Sequence, residues 1–438
     1  MTIIISLLLV FGTLLVTLIE GTSVNILSSD LLVNIFIIIY SIILVIIIMI
    51  SKQQKNGIKS FNIILSLSFI LRIIFMYWDR YCRHIFTFPN SGLDTGSFDS
   101  WAKDFIANGM SGQSGYPTVL GWIYKLFYPN PLWGQYINVL ASVLTILVVY
   151  KILCKLKINQ KYKMYGVLLI CFMPNYLIMS SILLRESLIT LLLAVALYFL
   201  INWWYINKWR NVFISILFVL AAAYLHSGTI VYAVAIFLVI AFAGNKQRIF
   251  KFKLSTIILG LVSTTFFMFI YNNYGDVFFG YMGGLNSVEE VVQKSETYAT
   301  GGSAYGVSII DDSSLLGLIV NSPLRMFYFL ASPLPWEWRG VNDIIAFLGN
   351  GSFYMISIYY GFKAISNRNC DNKNLIIIML IFALGSAFLY SWGVSNAGTA
   401  LRHRDKFITN FALLLVISLD AIYKSNKLRN INRGFGRL

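Results

Sequence analysis

Two short stretches concentrate the side chains able to do chemistry. SGLDTGSFDSWAKDFIANG, at 91–109, carries Asp94, Asp99 and Asp104 in a chain with only 12% charged residues. A carboxylate placed there can take a proton from an attacking hydroxyl. It can equally start a helix near the positive end of its dipole, and for Asp94 the residues alone leave both readings open. GTALRHRDKF, at 398–407, sets Arg402, His403 and Arg404 side by side. Guanidinium forks grip phosphate or diphosphate oxygens in pairs and stay charged. The same cations can also anchor a span at the lipid headgroups.

Weaker candidates surround these. Arg185 stands next to Glu186 in LLRES and either neutralises it or joins a phosphate cluster. Arg325 and Arg339 flank a Pro- and Trp-rich segment, and either can reach a headgroup or a bound phosphate. His226 reads first as a satisfied interfacial histidine. Trp101, Tyr116, Trp122, Trp336 and Trp338 are first of all interfacial belt residues; Trp101, Tyr116 and Trp336, with Arg339, are the candidates for sugar or lipid contacts. Cys82, Cys154, Cys171 and Cys370 have no paired spacing, so neither a zinc site nor a disulfide framework is expected.

The elements that position these residues are membrane helices. Of the 438 residues 58% are apolar, and the charged share is about half of the roughly 25% of a soluble domain. Such a chain can clothe a surface in lipid but not in water. Apolar runs fall near 3–19, 31–50, 61–78, 133–153, 164–183, 187–206, 211–225, 229–243, 254–271, 341–362, 374–392 and 406–423. The expectation is an all-α, multi-pass integral membrane protein of about twelve spans forming a single domain over 1–438, with the opening run retained as the first span. The connectors 51–60, 151–163, 207–211, 244–253 and 363–373 and the tail from 424 hold most of the 34 lysines and arginines. A cytoplasmic N-terminus puts all of them inside, as the positive-inside rule asks, and the C-terminus with them. The net charge of +16 is thereby explained without nucleic acid. The same topology leaves 16 of the 18 acids outside or at the outer face, all but Asp371 and Asp420. Two large outer loops follow, 79–132 and 272–340. Within the second, 321–338 reads as a re-entrant or interfacial segment, because a crossing there would put the basic connector 363–373 outside.

Phe98, Trp101, Ala102, Phe105 and Ile106 fall at helical spacing, so the spacing predicts an amphipathic helix lying on the membrane, with Asp99 and Lys103 paired at i,i+4 on its wet side and Asp94 just before it. Gly92 and Gly96 would loosen the backbone around Asp94. A second amphipathic stretch, YPTVLGWIYKLFYPNP, follows at 116–131. Asp94, Phe98 four residues on, Ala102 eight on, Gly109 at the helix end, then Tyr116-Pro117 and a helix ending LFYPNP resemble the first outer loop of GT-C glycosyltransferases. The resemblance covers roughly 91–150. It departs from the family in following the third span rather than the first, and in having Thr95 where an acid often follows the aspartate. It implies a GT-C-like fold, with Asp94 as catalytic base and Asp99 second. The basic stretch before a late span resembles the family's phosphate-binding motif, which would give Arg402, His403 and Arg404, helped by Arg185 and Arg325, to the donor phosphate.

The expected function is therefore transfer of a sugar or glycan from a polyprenyl-phosphate or polyprenyl-diphosphate donor at the outer face of the plasma membrane. The acceptor would be a glycan or a lipid-linked saccharide. Two versions are open: a single-sugar transferase, or a Wzy-type repeat-unit polymerase of the kind that serves capsule and exopolysaccharide assembly. No cofactor is expected, since the leaving phosphate is already on the lipid; a divalent metal stays open. The rival is a flippase or other transporter of lipid-linked saccharides, which needs polar groups at mid-membrane depth. Arg72 is the main one.

Overall fold

A computed structural model describes residues 29–51, 58–109, 115–243, 302–310, 314–367, 370 and 372–435, with four isolated residues between 290 and 299. Among the described residues the regular structure is helical, apart from one antiparallel bridge between Ala304 and Asn396. Among the described residues six helices are long and apolar enough to cross a membrane: Leu31–Ile50, Ser60–Tyr81, Pro131–Lys155, Glu186–Ile206, Lys373–Gly393 and Ala397–Lys427. This makes the chain a multi-pass membrane protein; among the described residues six of the twelve expected runs form helices of that length.

The difference has local causes. The runs 3–19 and 254–271 lie outside the described residues. Trp209–Leu225 and Ser227–Phe242 are apolar but short. The run 164–183 is broken, because a helix over Gln160–Phe172 stops before Pro174, Pro174–Met179 makes a further short turn, and 180–185 is irregular. The run 341–362 is likewise interrupted, by a π-helical turn over Phe347–Gly351. Hydropathy registers apolar content, not continuity of hydrogen bonding. The segment 321–338 begins inside the helix Leu315–Ala331, which accommodates Pro323, and ends in a 3₁₀ turn, Pro335–Glu337.

The chain forms two compact units. Met1–Ile146 with Leu177–Leu188 make the first. In its helix Ser29–Ile50, Val33, Ile37, Tyr40, Leu44 and Ile48 are buried, while Ile35, Ile38, Ile39, Ile42 and Ile46 are exposed. That three-to-four spacing separates a packing face from a face left for lipid. Tyr40 and Tyr136 meet edge to face at 6.3 Å, and the Ser41 and Tyr136 hydroxyls lie 3.1 Å apart. Arg72, fully buried, donates from Nε to Ser180 Oγ at 2.8 Å and from Nη1 to Ser68. Asn138 donates to the carbonyls of Ile182 and Leu184 at 2.8 and 2.6 Å. Irregular backbone at membrane depth is tolerated where protein groups satisfy it; Asn138 does so for two carbonyls of this stretch, and Arg72 ties its Ser180 side chain to the helix Ile58–Tyr81.

The expected loop helix is present as Leu93–Asn108 and packs against Gly115–Leu126. A Cβ at Gly121 would stand 2.5 Å from Phe105 Cδ1 and 3.1 Å from the Ala102 carbonyl oxygen, so the two helices touch there. Asp94 lies inside the first turn rather than before it, and Gly96 is helical; the helix starts earlier than the Phe98 periodicity implied. Gly92 caps it at φ +130° and ψ −112°, a region open to glycine alone, and the Thr95 hydroxyl exchanges hydrogen bonds with its N–H and carbonyl. Gly92→Ala should therefore destabilise this helix by about 1–3 kcal/mol. Gly96→Ala, whose Cβ meets nothing within 4 Å, should gain up to about 1 kcal/mol of helix propensity. Amide exchange over 93–108 reads both; equal protection in the two variants would refute the cap assignment.

The second unit comprises Leu147–Tyr176 and Ile189–Leu438. The helix Ile408–Phe435 is its centre, with Phe411, Leu413, Leu414, Val416 and Ile417 all buried. Gln160–Phe172, Ser352–Ile365 and Lys373–Gly393 pack on it. Close approach uses small residues: a Cβ at Gly166 would be 2.9 Å from Val416, and one at Gly361 would be 3.0 Å from Leu414. Leu315–Ala331 lies on Lys373–Gly393, fastened by Trp392 Nε1 to Ser322 Oγ at 2.9 Å.

Candidate functional site

In the first unit the polar groups gather where the helix Ile58–Tyr81 ends and Pro131–Lys155 begins. Asp79, fully buried, is their hub. Its Oδ1 accepts from Arg83 Nε at 3.1 Å and Ser91 Oγ at 2.5 Å; its Oδ2 accepts from Arg83 Nη2 and Gln135 Nε2, both at 2.7 Å. Beside it is a cavity of about 130 Å³ lined by Asp79, Arg80, Arg83, Thr95, Asp99 and Gln135, with Pro131 and Leu183 as apolar walls. Asp99 lines this cavity. It pairs with Lys103 at 2.7 Å, as the i,i+4 spacing implied, and accepts the Tyr124 hydroxyl at 2.7 Å. Burial, and next the Asp99 charge, hold the Tyr124 hydroxyl far above its usual range, so it remains a proton donor.

Asp94 stands exposed on the first turn of the loop helix, where a negative charge stabilises the helix dipole. Asp104 is exposed further along. Arg185 lies over the Phe98 ring at 5.5 Å, and Phe98 meets the buried Tyr116 edge to face at 5.0 Å. Trp101 packs on Phe98 at 6.0 Å with over a third of its surface exposed. Arg185, Tyr116 and Trp101 thus share one aromatic contact. Glu186 is fully buried and opens the helix Glu186–Ile206.

In the second unit the basic stretch forms the helix Ala397–Arg404, capped by Asn396, whose side chain accepts from the N–H groups of Gly398 and Thr399. Arg404 is fully buried. Its Nη1 donates to the carbonyls of Phe329 and Leu330 at 3.1 and 2.8 Å, and its Nε to Asn350 Oδ1. Arg404 ties its helix to the end of Leu315–Ala331. Asp405, next to it and equally buried, accepts from Asn175 at 2.6 Å, Asn350 at 2.8 Å and the Tyr354 hydroxyl at 3.1 Å.

His403 faces a different set. Lys406 Nζ lies against His403 Nδ1, the His226 ring meets the His403 ring at 5.1 Å, and Tyr390 joins both, with its hydroxyl 3.1 Å from His226 Nδ1. Lys406 Nζ is also 5.4 Å from the Tyr390 ring centre. Two of the chain's three histidines therefore meet across 177 positions of sequence, which no local motif announces. Arg402 is buried on the same short helix. Arg325 is buried with its guanidinium stacked 4.2 Å from the Trp392 ring centre.

The segment 302–310 docks on the start of this helix: Tyr305 N–H donates to the Ser395 carbonyl and Ala397 N–H to that of Ser303, each at 2.9 Å. Tyr305 is buried, and burial raises its hydroxyl beyond the usual tyrosine range while Arg404, and more weakly Arg325, pull the other way. Arg339 is half exposed, donates to Ser303 Oγ at 2.8 Å and stays within 3.9 Å of Asp343. Trp336 is 69% exposed, an open rather than an enclosed position. Among the described residues no three of His, Cys, Asp and Glu converge as metal ligands.

The signals for Asp79, Asp405 and His226 were weak in sequence. Asp79 had only Arg83 at i+4, and the partners of Asp405 are spread over 175, 350 and 354. No family model, curated protein or solved structure matches this chain.

Proposed function

We propose that the protein is a membrane glycosyltransferase that moves a sugar or glycan from a polyprenyl-(di)phosphate donor at the outer membrane face, as a sugar transferase or a repeat-unit polymerase in cell-surface polysaccharide assembly. One observation carries the reading: the clustering of His226, His403 and Lys406 around Tyr390, beside the buried Arg402. Charge at membrane depth is expensive and marks function by default. A leaving phosphate gains charge as the glycosidic bond breaks, and cations fixed in advance stabilise that charge without reorganising. Arg402 and His403 take this role, with Arg325 and Arg185 as further candidates. Arg404, bonded to two carbonyls and Asn350, acts mainly by holding the helix that presents Arg402 and His403. Asp94 is the base that deprotonates the acceptor hydroxyl, and Asp99 the second candidate.

Arg402→Ala should raise the apparent KM for a purified lipid-linked donor about 10- to 100-fold, the worth of hydrogen bonds to a charged group. Arg402→Lys should recover only part, since the fork is lost. Unchanged donor KM in the alanine variant would return Arg402 to the role of a headgroup anchor.

One feature favours the transporter reading instead. The breaks at 173–185 and Phe347–Gly351 are of the kind transporters use around a substrate. Arg72, the mid-span charge, is satisfied by Ser68 and Ser180 and supports the fold. Reconstituted vesicles holding a fluorescent lipid-linked saccharide separate the two, because movement between leaflets without a new glycosidic bond identifies a flippase.

A further inference from the structure

The cavity beside Asp79 is built in a way that the phosphate cluster does not explain. Asp79 has both oxygens occupied by Arg83, Ser91 and Gln135, so it offers little to a ligand and instead aims its neighbours. A carboxylate only accepts hydrogen bonds. The Gln135 amide must therefore turn its NH₂ toward Asp79, which fixes the orientation of its oxygen. Gln135 is 2% exposed, and its Oε1 has no hydrogen-bond partner among the described residues. A buried acceptor left without a donor costs about 1–3 kcal/mol. The cavity it lines is roughly ten times the ~10–15 Å³ that one water needs.

The lining specifies the missing group. Gln135 Oε1 asks for a donor, and the Asp99 oxygens, which take one donor each from Lys103 and Tyr124, have room for a second. Arg83, whose Nε and Nη2 are on Asp79, brings Nη1, and Arg80 adds a second guanidinium. Two acids, Asp79 and Asp99, and two arginines, Arg80 and Arg83, line the cavity, and Lys103 is paired with Asp99 from outside the lining. A net anion would meet the acids and a net cation the arginines. A neutral ligand with donors and acceptors on adjacent atoms suits both, and Pro131 and Leu183 offer apolar surface to its C–H groups. Vicinal hydroxyls of a sugar ring have this character.

We propose that this cavity is a subsite for the hydroxyl-bearing edge of a neutral saccharide, with Gln135 Oε1 and Asp99 accepting from its hydroxyls and Arg83 donating to them. Asp79 is the positioning residue that orients both. The proposal rests on the saccharide half of the functional reading and not on the transfer step.

The test is binding, measured without turnover. Full-length protein in nanodiscs is probed by saturation-transfer NMR with glucose, galactose, mannose and N-acetylglucosamine, each at millimolar concentration. At least one should receive saturation from the wild type. Gln135→Met, close in shape but without the acceptor, should weaken that sugar about tenfold. Arg83→Lys, at a side chain two-fifths exposed and so tolerant of change, should weaken it too while keeping the charge beside Asp79. A melting curve in the absence of sugar verifies that each variant is folded. No saturation of any of the four sugars, or equal binding by wild type and both folded variants, overturns the proposal. Sugar binding that needs Gln135 in a protein that forms no glycosidic bond would uphold the subsite and defeat the transferase reading. Transfer with sugar binding indifferent to Gln135 and Arg83 would do the opposite.

Discussion

Asp405→Ala should leave little folded protein. The carboxylate is fully buried and gathers three donors from three parts of the second unit: Asn175, Asn350 and Tyr354. Deleting it strands the Asn350 amide, at a cost of about 1–3 kcal/mol for an unsatisfied buried donor, and leaves Asn175 and Tyr354 only the Leu401 and Arg404 carbonyls, 3.0 Å from each. It also removes the negative charge next to buried Arg404, and breaking such a charge arrangement typically costs about 3–5 kcal/mol. Set against a total stability of about 5–15 kcal/mol, losses of this size reach most of the margin. Asp405→Asn should fare only slightly better, because its NH₂ would face donors. The measurement is fluorescence-detected size exclusion and thermal melting in mild detergent. A melting temperature within about 2 °C of wild type, well below the shift expected from several kcal/mol, would show that the Asp405 carboxylate does not hold this part of the fold. The Asp405 network also bears on the cation cluster. Asn350 bonds both Asp405 and Arg404, so the helix carrying Arg402 and His403 is held by polar contacts within the core of the unit.

What repeats at short range is legible in the sequence. The loop helix was legible because Phe98, Ala102 and Phe105 recur at helical spacing, and the Asp99–Lys103 pair because i,i+4 neighbours must meet. The long apolar helices were legible by composition. Continuity was not: Pro174 ends a helix in the middle of an apolar run, and the π turn at Phe347–Gly351 leaves no mark on hydropathy. Asp79 closes an apolar helix and reads as an interfacial acid until Ser91 and Gln135 are brought to it. Asp405 stands inside RHRDKF, where the neighbouring cations dominate the pattern and read as phosphate binders or a headgroup anchor. In the structure Arg404, Asp405 and Lys406 are all buried, and the stretch is as much a core packing element as a surface one.

Asp94→Asn should lower transfer by about 10² to 10⁴ with little change in expression or donor binding, the usual contribution of a general base. Asparagine keeps the shape and removes proton affinity. The competing role, a negative charge in the first turn of Leu93–Asn108, is worth only about 0.3–1 kcal/mol, too little to produce a rate loss of that size in a folded protein. Asp99→Asn separates the two aspartates further. Asp99 lines the polar cavity and holds Lys103 and Tyr124, so its loss should appear first in the KM for the saccharide acceptor. A base makes its contribution in the transition state and should lower kcat instead. Asp104→Asn, at an exposed position with no part in either arrangement, is the control and should be mild. The assay is product formation from purified lipid-linked donor and acceptor in nanodiscs, with kcat and KM measured separately for each variant. Near-normal kcat in Asp94→Asn removes Asp94 as the base. If Asp99→Asn also retains normal kcat and KM, neither aspartate serves the reaction, and the carboxylate mechanism in this loop fails.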